Sequence, residues 1–84
     1  MEFENIYMAE NYLSTPDSAT TLFLKYHQKK KGLEIGFQTR EVYHYLEVPL
    51  KLWKNYYKEV VAGRSSGKFF NEHIKDKYKF IKIT

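Results

Sequence analysis

At Val48-Pro49 the hydrophobic repeat of this chain changes from two residues to about 3.6, and that change limits the fold more than any other feature. Before it, apolar residues alternate. In residues 20–27, Leu22, Leu24 and Tyr26 alternate with Thr21, Phe23 and Lys25. In residues 33–37, Leu33, Ile35 and Phe37 alternate with Glu34 and Gly36. In residues 42–47, Val42, His44 and Leu46 share one side, and Tyr43 and Tyr45 share the other. The polar stretches 28–32 and 38–41 separate these segments, and short polar breaks between alternating runs describe an antiparallel meander.

After the change, Leu50, Trp53, Tyr57 and Val61 make one helical stripe, widened by Leu52, Tyr56 and Val60. Pro49 suits the first position of that helix, because its missing N–H costs nothing there. Gly63 suits its end. Ser65 or Ser66 can cap a second, shorter helix that carries Phe69, Phe70 and Ile74. Beyond Asp76, Tyr78 and Phe80 alternate with Ile81 and Ile83, as in a closing strand. The expected fold is α+β: a three-stranded antiparallel meander, two helices and a short C-terminal strand, β-β-β-α-α-β. In residues 1–13, Phe3, Ile6, Tyr7 and Leu13 fall at loosely helical spacing that also suits an extended chain. Ser14-Thr15-Pro16-Asp17 breaks that stretch.

Eighty-four residues fit one small domain with a limited core. Absence of Cys excludes disulfides and Cys-based metal sites and fits a cytoplasmic protein. The acidic N-terminal stretch lacks the apolar run of a signal peptide, and no segment approaches the ~20 apolar residues of a membrane span. Charge is uneven. Residues 1–48 hold 5 basic and 7 acidic groups, net −2; residues 49–84 hold 9 basic and 3 acidic groups, net +6. A basic C-terminal half allows an anionic partner such as nucleic acid, but a solvated lysine face that keeps the protein in solution is the simpler reading.

No catalytic constellation stands out. His27, His44 and His73 fall on three different expected elements without metal-ligand spacing, so neither metal nor other cofactor is expected, and no enzyme activity. Gly63-Arg64-Ser65-Ser66-Gly67-Lys68 has too few residues for a Walker A loop and carries Phe69 where Ser or Thr should follow the lysine. A Ser-Gly helix start flanked by Arg64 and Lys68 can still hold one phosphate or carboxylate, or be an ordinary capped turn. Tyr43 and Tyr45, on one face of a strand, have a spacing suited to stacking bases. The favoured reading of the pair is core beneath the Trp53 helix, whose stripe needs a sheet face to cover. In that case Val42, His44 and Leu46 face outward and call for cover by residues 1–13 or by a partner.

The order Ser18, Tyr26, Leu33-Ile35-Phe37, Tyr43 and Tyr45, Val48-Pro49, then Ser66-Gly67-Lys68-Phe69-Phe70-Asn71, Ile74 and Tyr78 resembles the KTSC family, the lysyl-tRNA synthetase C-terminal domain. Asp17-Ser18 replaces the double serine usual before the first strand, and Thr39-Arg40-Glu41 replaces a Gly in the turn before the tyrosine pair. The resemblance divides the chain into an N-terminal extension, 1–17, and a domain, 18–84, of the stand-alone form. It implies a non-catalytic module and suggests RNA as its partner. Arg64, Lys68, Lys75 and Lys77 would contact phosphate, Ser66 belongs to the same helix start, and Tyr43, Tyr45 and Asn71 would contact bases. The alternative is a protein-interaction or accessory factor, of viral or mobile-element origin, that uses an exposed aromatic surface or a sheet edge, as in a homodimer.

Overall fold

Alternating segments become strands and striped segments become helices in a computed structural model that describes residues 11–84. The strands are β1 (Tyr12–Ser14), β2 (Thr21–His27), β3 (Gly32–Phe37), β4 (Val42–Tyr45) and β5 (Phe80–Lys82). The helices, α1 (Leu50–Val61) and α2 (Ser66–His73), lie between β4 and β5. The five strands form one sheet in sequence order, antiparallel throughout. The α+β class is as expected, but four strands precede the helices rather than three.

The additional strand, β1, lies within the 1–17 stretch expected to be an extension. Three residues are too few to show alternation, so pairing decides it. Tyr12, Leu13 and Ser14 stand opposite Lys25, Leu24 and Phe23. The Tyr26 amide donates to the Asn11 carbonyl at 2.8 Å, and the Thr15 amide to the Leu22 carbonyl at 2.8 Å. Leu13 packs against the core. Phe3, Ile6 and Tyr7 lie outside the described residues.

The inner face of the sheet carries Leu24 and Tyr26, Leu33 and Ile35, and Tyr43 and Tyr45, brought level by the pairs Leu24–Ile35, Tyr26–Leu33, Leu33–Tyr45 and Ile35–Tyr43. A register shift between Thr21 and Phe23 lets Thr21 and Leu24, three residues apart, both be fully buried. Strand β4 is two residues shorter than expected. Glu47 adopts a left-handed conformation (φ 54°) that turns the chain, and Val48 tucks into the core with its amide on the Lys31 carbonyl at 2.7 Å.

Pro49 is the N-cap of α1 rather than its first helical residue (φ −64°, ψ 147°). The buried line of α1 runs through Trp53 and Tyr56, while Val61, at the end of the expected stripe, is 59% exposed. Gly63 (φ +95°) ends the helix, its amide on the Val60 carbonyl and that of Arg64 on the Glu59 carbonyl. Ser65 caps α2 by accepting from the Lys68 amide at 3.1 Å. Phe69, Phe70 and Ile74 then point into the core, as expected.

The resulting core is built mostly of rings. Trp53 stacks on Tyr26 (5.7 Å, 5°) and Tyr56 on Phe69 (4.4 Å, 17°). A buried Tyr needs a partner for its hydroxyl, and Tyr26 donates to the Val48 carbonyl at 2.6 Å. That bond ties the central sheet to the turn that launches α1.

Candidate functional site

The start of α2 is fastened to the sheet by a chain of buried hydroxyls. Thr21 Oγ1 donates to Ser66 Oγ at 2.9 Å, so the 2.7 Å contact between Thr15 and Thr21 has Thr15 as donor. Tyr56 donates to the Ser66 carbonyl at 3.1 Å and stands 2.9 Å from Ser66 Oγ, so the Ser66 hydroxyl donates to Tyr56. Every hydroxyl in the chain Thr15, Thr21, Ser66, Tyr56 thus donates once. Burial raises the Tyr56 pKa well above its ordinary value, opposed in part by the bond to Ser66. Ser66 is only 3% exposed, with its hydroxyl engaged inside. Of the Ser-Gly pair, Gly67 also has a packing reason. A Cβ there would lie 2.3 Å from Thr20 Oγ1 and 2.9 Å from Thr20 Cβ.

The two tyrosines of β4 face the helices, and they differ. Tyr45 is buried at 5% exposure; Tyr43 is half-buried. Burial, reinforced by Tyr43 and Asp76, pushes the Tyr45 hydroxyl up to about 12. The helices leave the β4–β5 end of this face open, as a cleft of about 490 Å³ lined by Phe37, Tyr43, Tyr45, Phe70 and Phe80, with Lys75 and Asp76 among its walls. Tyr43 meets Phe80 at 5.1 Å, Phe37 edge-on at 5.6 Å and Tyr45 at 6.4 Å. Phe80 is 54% exposed, so the cleft offers an accessible aromatic wall.

The polar and basic candidates are spread over three places. Lys68 and Asn71 are exposed on α2, and Lys75, exposed just past its end, lines the aromatic cleft. Lys77 is exposed in the turn that follows. Arg64 lies at the other end of α2, 3.4 Å from Glu59, in a groove between the helices that also holds Lys58, Lys68 and Glu72. Tyr43 and Lys75 are therefore together, while Arg64 and Lys77 stand apart from them.

Strand pairing brings together three residues that sequence reasoning left scattered. On the outer face, His27 Nε2 lies 2.8 Å from Glu34 Oε1, and His44 stacks on His27 at 5.1 Å. Glu34 stands opposite His44, and His27 opposite Gly32. The His44 ring fills the space over Gly32, where any Cβ would lie 2.0 Å from its Nε2. Burial, then the charge of His27, lowers the His44 pKa; Glu34 opposes this and Lys30 adds to it. The one signal available in the sequence was parity: all three sit on the outward positions of their strands.

A five-stranded antiparallel sheet with two helices on one face, closed by the Ser66 hydroxyl chain and the Val48-Pro49 turn, defines a small α+β module. The KTSC domain profile matches residues 18–78, and the chain belongs to that family. The match starts after β1 and stops before β5, so both edge strands lie outside it. The crystal structure of a KTSC domain protein from Yersinia pestis is similar, at 30% identity and a TM-score of 0.68, over 87% of this chain and 99% of that one. No curated protein matches. No described helix is long and apolar enough to cross a membrane.

Proposed function

We propose that this domain is a non-catalytic cytoplasmic module that binds single-stranded nucleic acid, RNA above all. The observation that carries the reading is the aromatic cleft at Tyr43 and Phe80, with Lys75 in its wall and Lys68 and Asn71 exposed on the helix that precedes it. A base that enters the cleft gains stacking worth ~1–3 kcal/mol, and phosphates on either side meet the lysines. Asn71 supplies the amide for a base edge, and Lys77 extends the basic track. Tyr45 acts from beneath, as the floor that holds Tyr43 and Phe80 in place. Ser66 acts through the fold, by fixing the start of α2.

Fluorescence anisotropy of short RNA and DNA oligomers, at low and at physiological salt, tests this. Binding should weaken steeply with salt, and weaken again in Tyr43→Ala and in Lys68→Glu/Lys75→Glu while the far-UV circular dichroism stays unchanged. Absence of binding at low salt with micromolar protein sinks the nucleic-acid reading.

One observation favours a protein partner as the second reading. Among the described residues strand β5 is an edge, and Phe80, Ile81 and Ile83 on and beside it are 53–57% exposed. Such an edge accepts another strand, including that of a second copy. Sedimentation of the free protein, with an Ile81→Lys variant for comparison, separates this from the first reading.

A further inference from the structure

We propose that His27, Glu34 and His44 form a site for one divalent transition-metal ion of the zinc class on the outer face of the sheet. The three residues come from β2, β3 and β4, and one donor atom from each lies within 4.8 Å of the others. Metal–ligand bonds of 2.0–2.2 Å put tetrahedral donor atoms about 3.4 Å apart, so small side-chain rotations close the site. The strands themselves are held in register, so no backbone has to move. Gly32 is part of the design. Its missing side chain is what lets the His44 ring lie across β3 toward His27.

Two imidazoles and a carboxylate select the ion. Calcium and magnesium call for oxygen ligands throughout, whereas zinc, cobalt, nickel and copper accept nitrogen. Three protein ligands leave a further coordination position facing solvent, open to water or to a partner's donor atom. A carboxylate can only accept, so in the metal-free chain His27 Nε2 donates to Glu34 Oε1. Metal entry replaces that hydrogen bond, and the His27 proton moves to Nδ1 or leaves. Lys25, opposite Glu34, and Lys30, whose charge reaches His44, oppose a cation and hold the affinity below that of an uncharged surround. All three ligands are half-buried, which limits competing water.

Isothermal titration of the full chain with zinc chloride alone, followed by cobalt(II) absorption spectroscopy, tests the site. The expected result is one ion per chain, with cobalt bands of a four- or five-coordinate site. Glu34→Gln and His44→Gln should each weaken binding about tenfold or more, while His73→Gln leaves it unchanged. If His44→Gln disturbs the sheet by circular dichroism, Glu34→Gln carries the comparison, because Gln keeps the shape and removes the charge. Absence of saturable binding overturns the proposal. So does binding that survives both substitutions or that disappears in His73→Gln.

Discussion

Ser65 and Ser66 are neighbours of the same type, and the fold uses them differently. Ser65 is exposed and caps α2 through its side chain, so Ser65→Ala should cost about 1 kcal/mol. Ser66 joins Thr21 to Tyr56 in a chain of four buried hydroxyls. Ser66→Ala strips Thr21 of its acceptor and Tyr56 of a partner, and should cost about 2–3 kcal/mol by urea denaturation. Equal costs for the two variants would refute the buried hydroxyl chain. Gly67→Ala sets a gain in helix propensity, about 1 kcal/mol, against a contact with Thr20 that cannot be relieved by a flexible side-chain end. The clash should win, for a net loss of about 1–2 kcal/mol, and Thr20→Gly in the same chain should restore part of it. Tyr43 and Tyr45 differ in the same way as the serines. Tyr45→Ala opens the core and should cost about 3–5 kcal/mol, enough to threaten folding. Tyr43→Ala should cost clearly less and is the variant suited to ligand-binding measurements.

Among the elements, β1 pairs with β2 from within the stretch expected to be an extension. The family match starts at residue 18, after this strand. Removing residues 1–17 takes away the ladder to β2, the Leu13 contact and the Thr15 end of the hydroxyl chain. Thermal unfolding of that truncated chain should show a loss of roughly 2 kcal/mol or more. An unchanged midpoint would make β1 a passive extension. The period change at Val48-Pro49 was readable because the apolar spacing on either side differs and a proline marks a helix start, although Pro49 proved to be the N-cap rather than the first helical residue. Strand β1 was not readable, because a three-residue strand has no period to detect and gains its place from pairing. The exposure of Val61 was equally hidden. The stripe on α1 was visible, but how the helix lies on the sheet decides which part is buried, and the buried centre takes Trp53 from one row and Tyr56 from the other.

At the scale of the whole molecule, two distributions of charge and acidity give measurable consequences. The +6 of residues 49–84 places Lys68, Lys75, Lys77 and Arg64 on exposed surface. If three or four of them meet phosphates of a single strand, log K should fall with log salt at a slope of about −2 to −3. A slope near zero would indicate that the basic groups only solubilise the protein. Tyr45 and Tyr56 both hold their protons more tightly folded than unfolded, with Tyr45 at about 12 against an ordinary 10.0. Such groups stabilise the fold fully below the unfolded pKa, and that stability is lost as pH rises through the folded value. Denaturant midpoints should therefore fall between about pH 10 and pH 12, with tyrosinate absorbance from these rings appearing together with unfolding. A flat midpoint over that range would mean that neither hydroxyl is held inside.

The residues that carry the family resemblance are mostly those that build the fold. Tyr26, Tyr45, Val48, Ser66, Gly67, Phe69, Phe70 and Ile74 are all buried. By itself the sequence determined the class of fold, the two helices and the stop at Gly63, the inward set of β3 and the family, because each follows from local period or from ordered motif. Only the tertiary structure decided that Ser66 is interior, that Tyr45 is floor and Tyr43 wall, and that His27, Glu34 and His44 meet. Those facts depend on which strand lies beside which, and in what register. Residues 17 positions apart, as His27 and His44 are, carry no mark of that in the order of the chain.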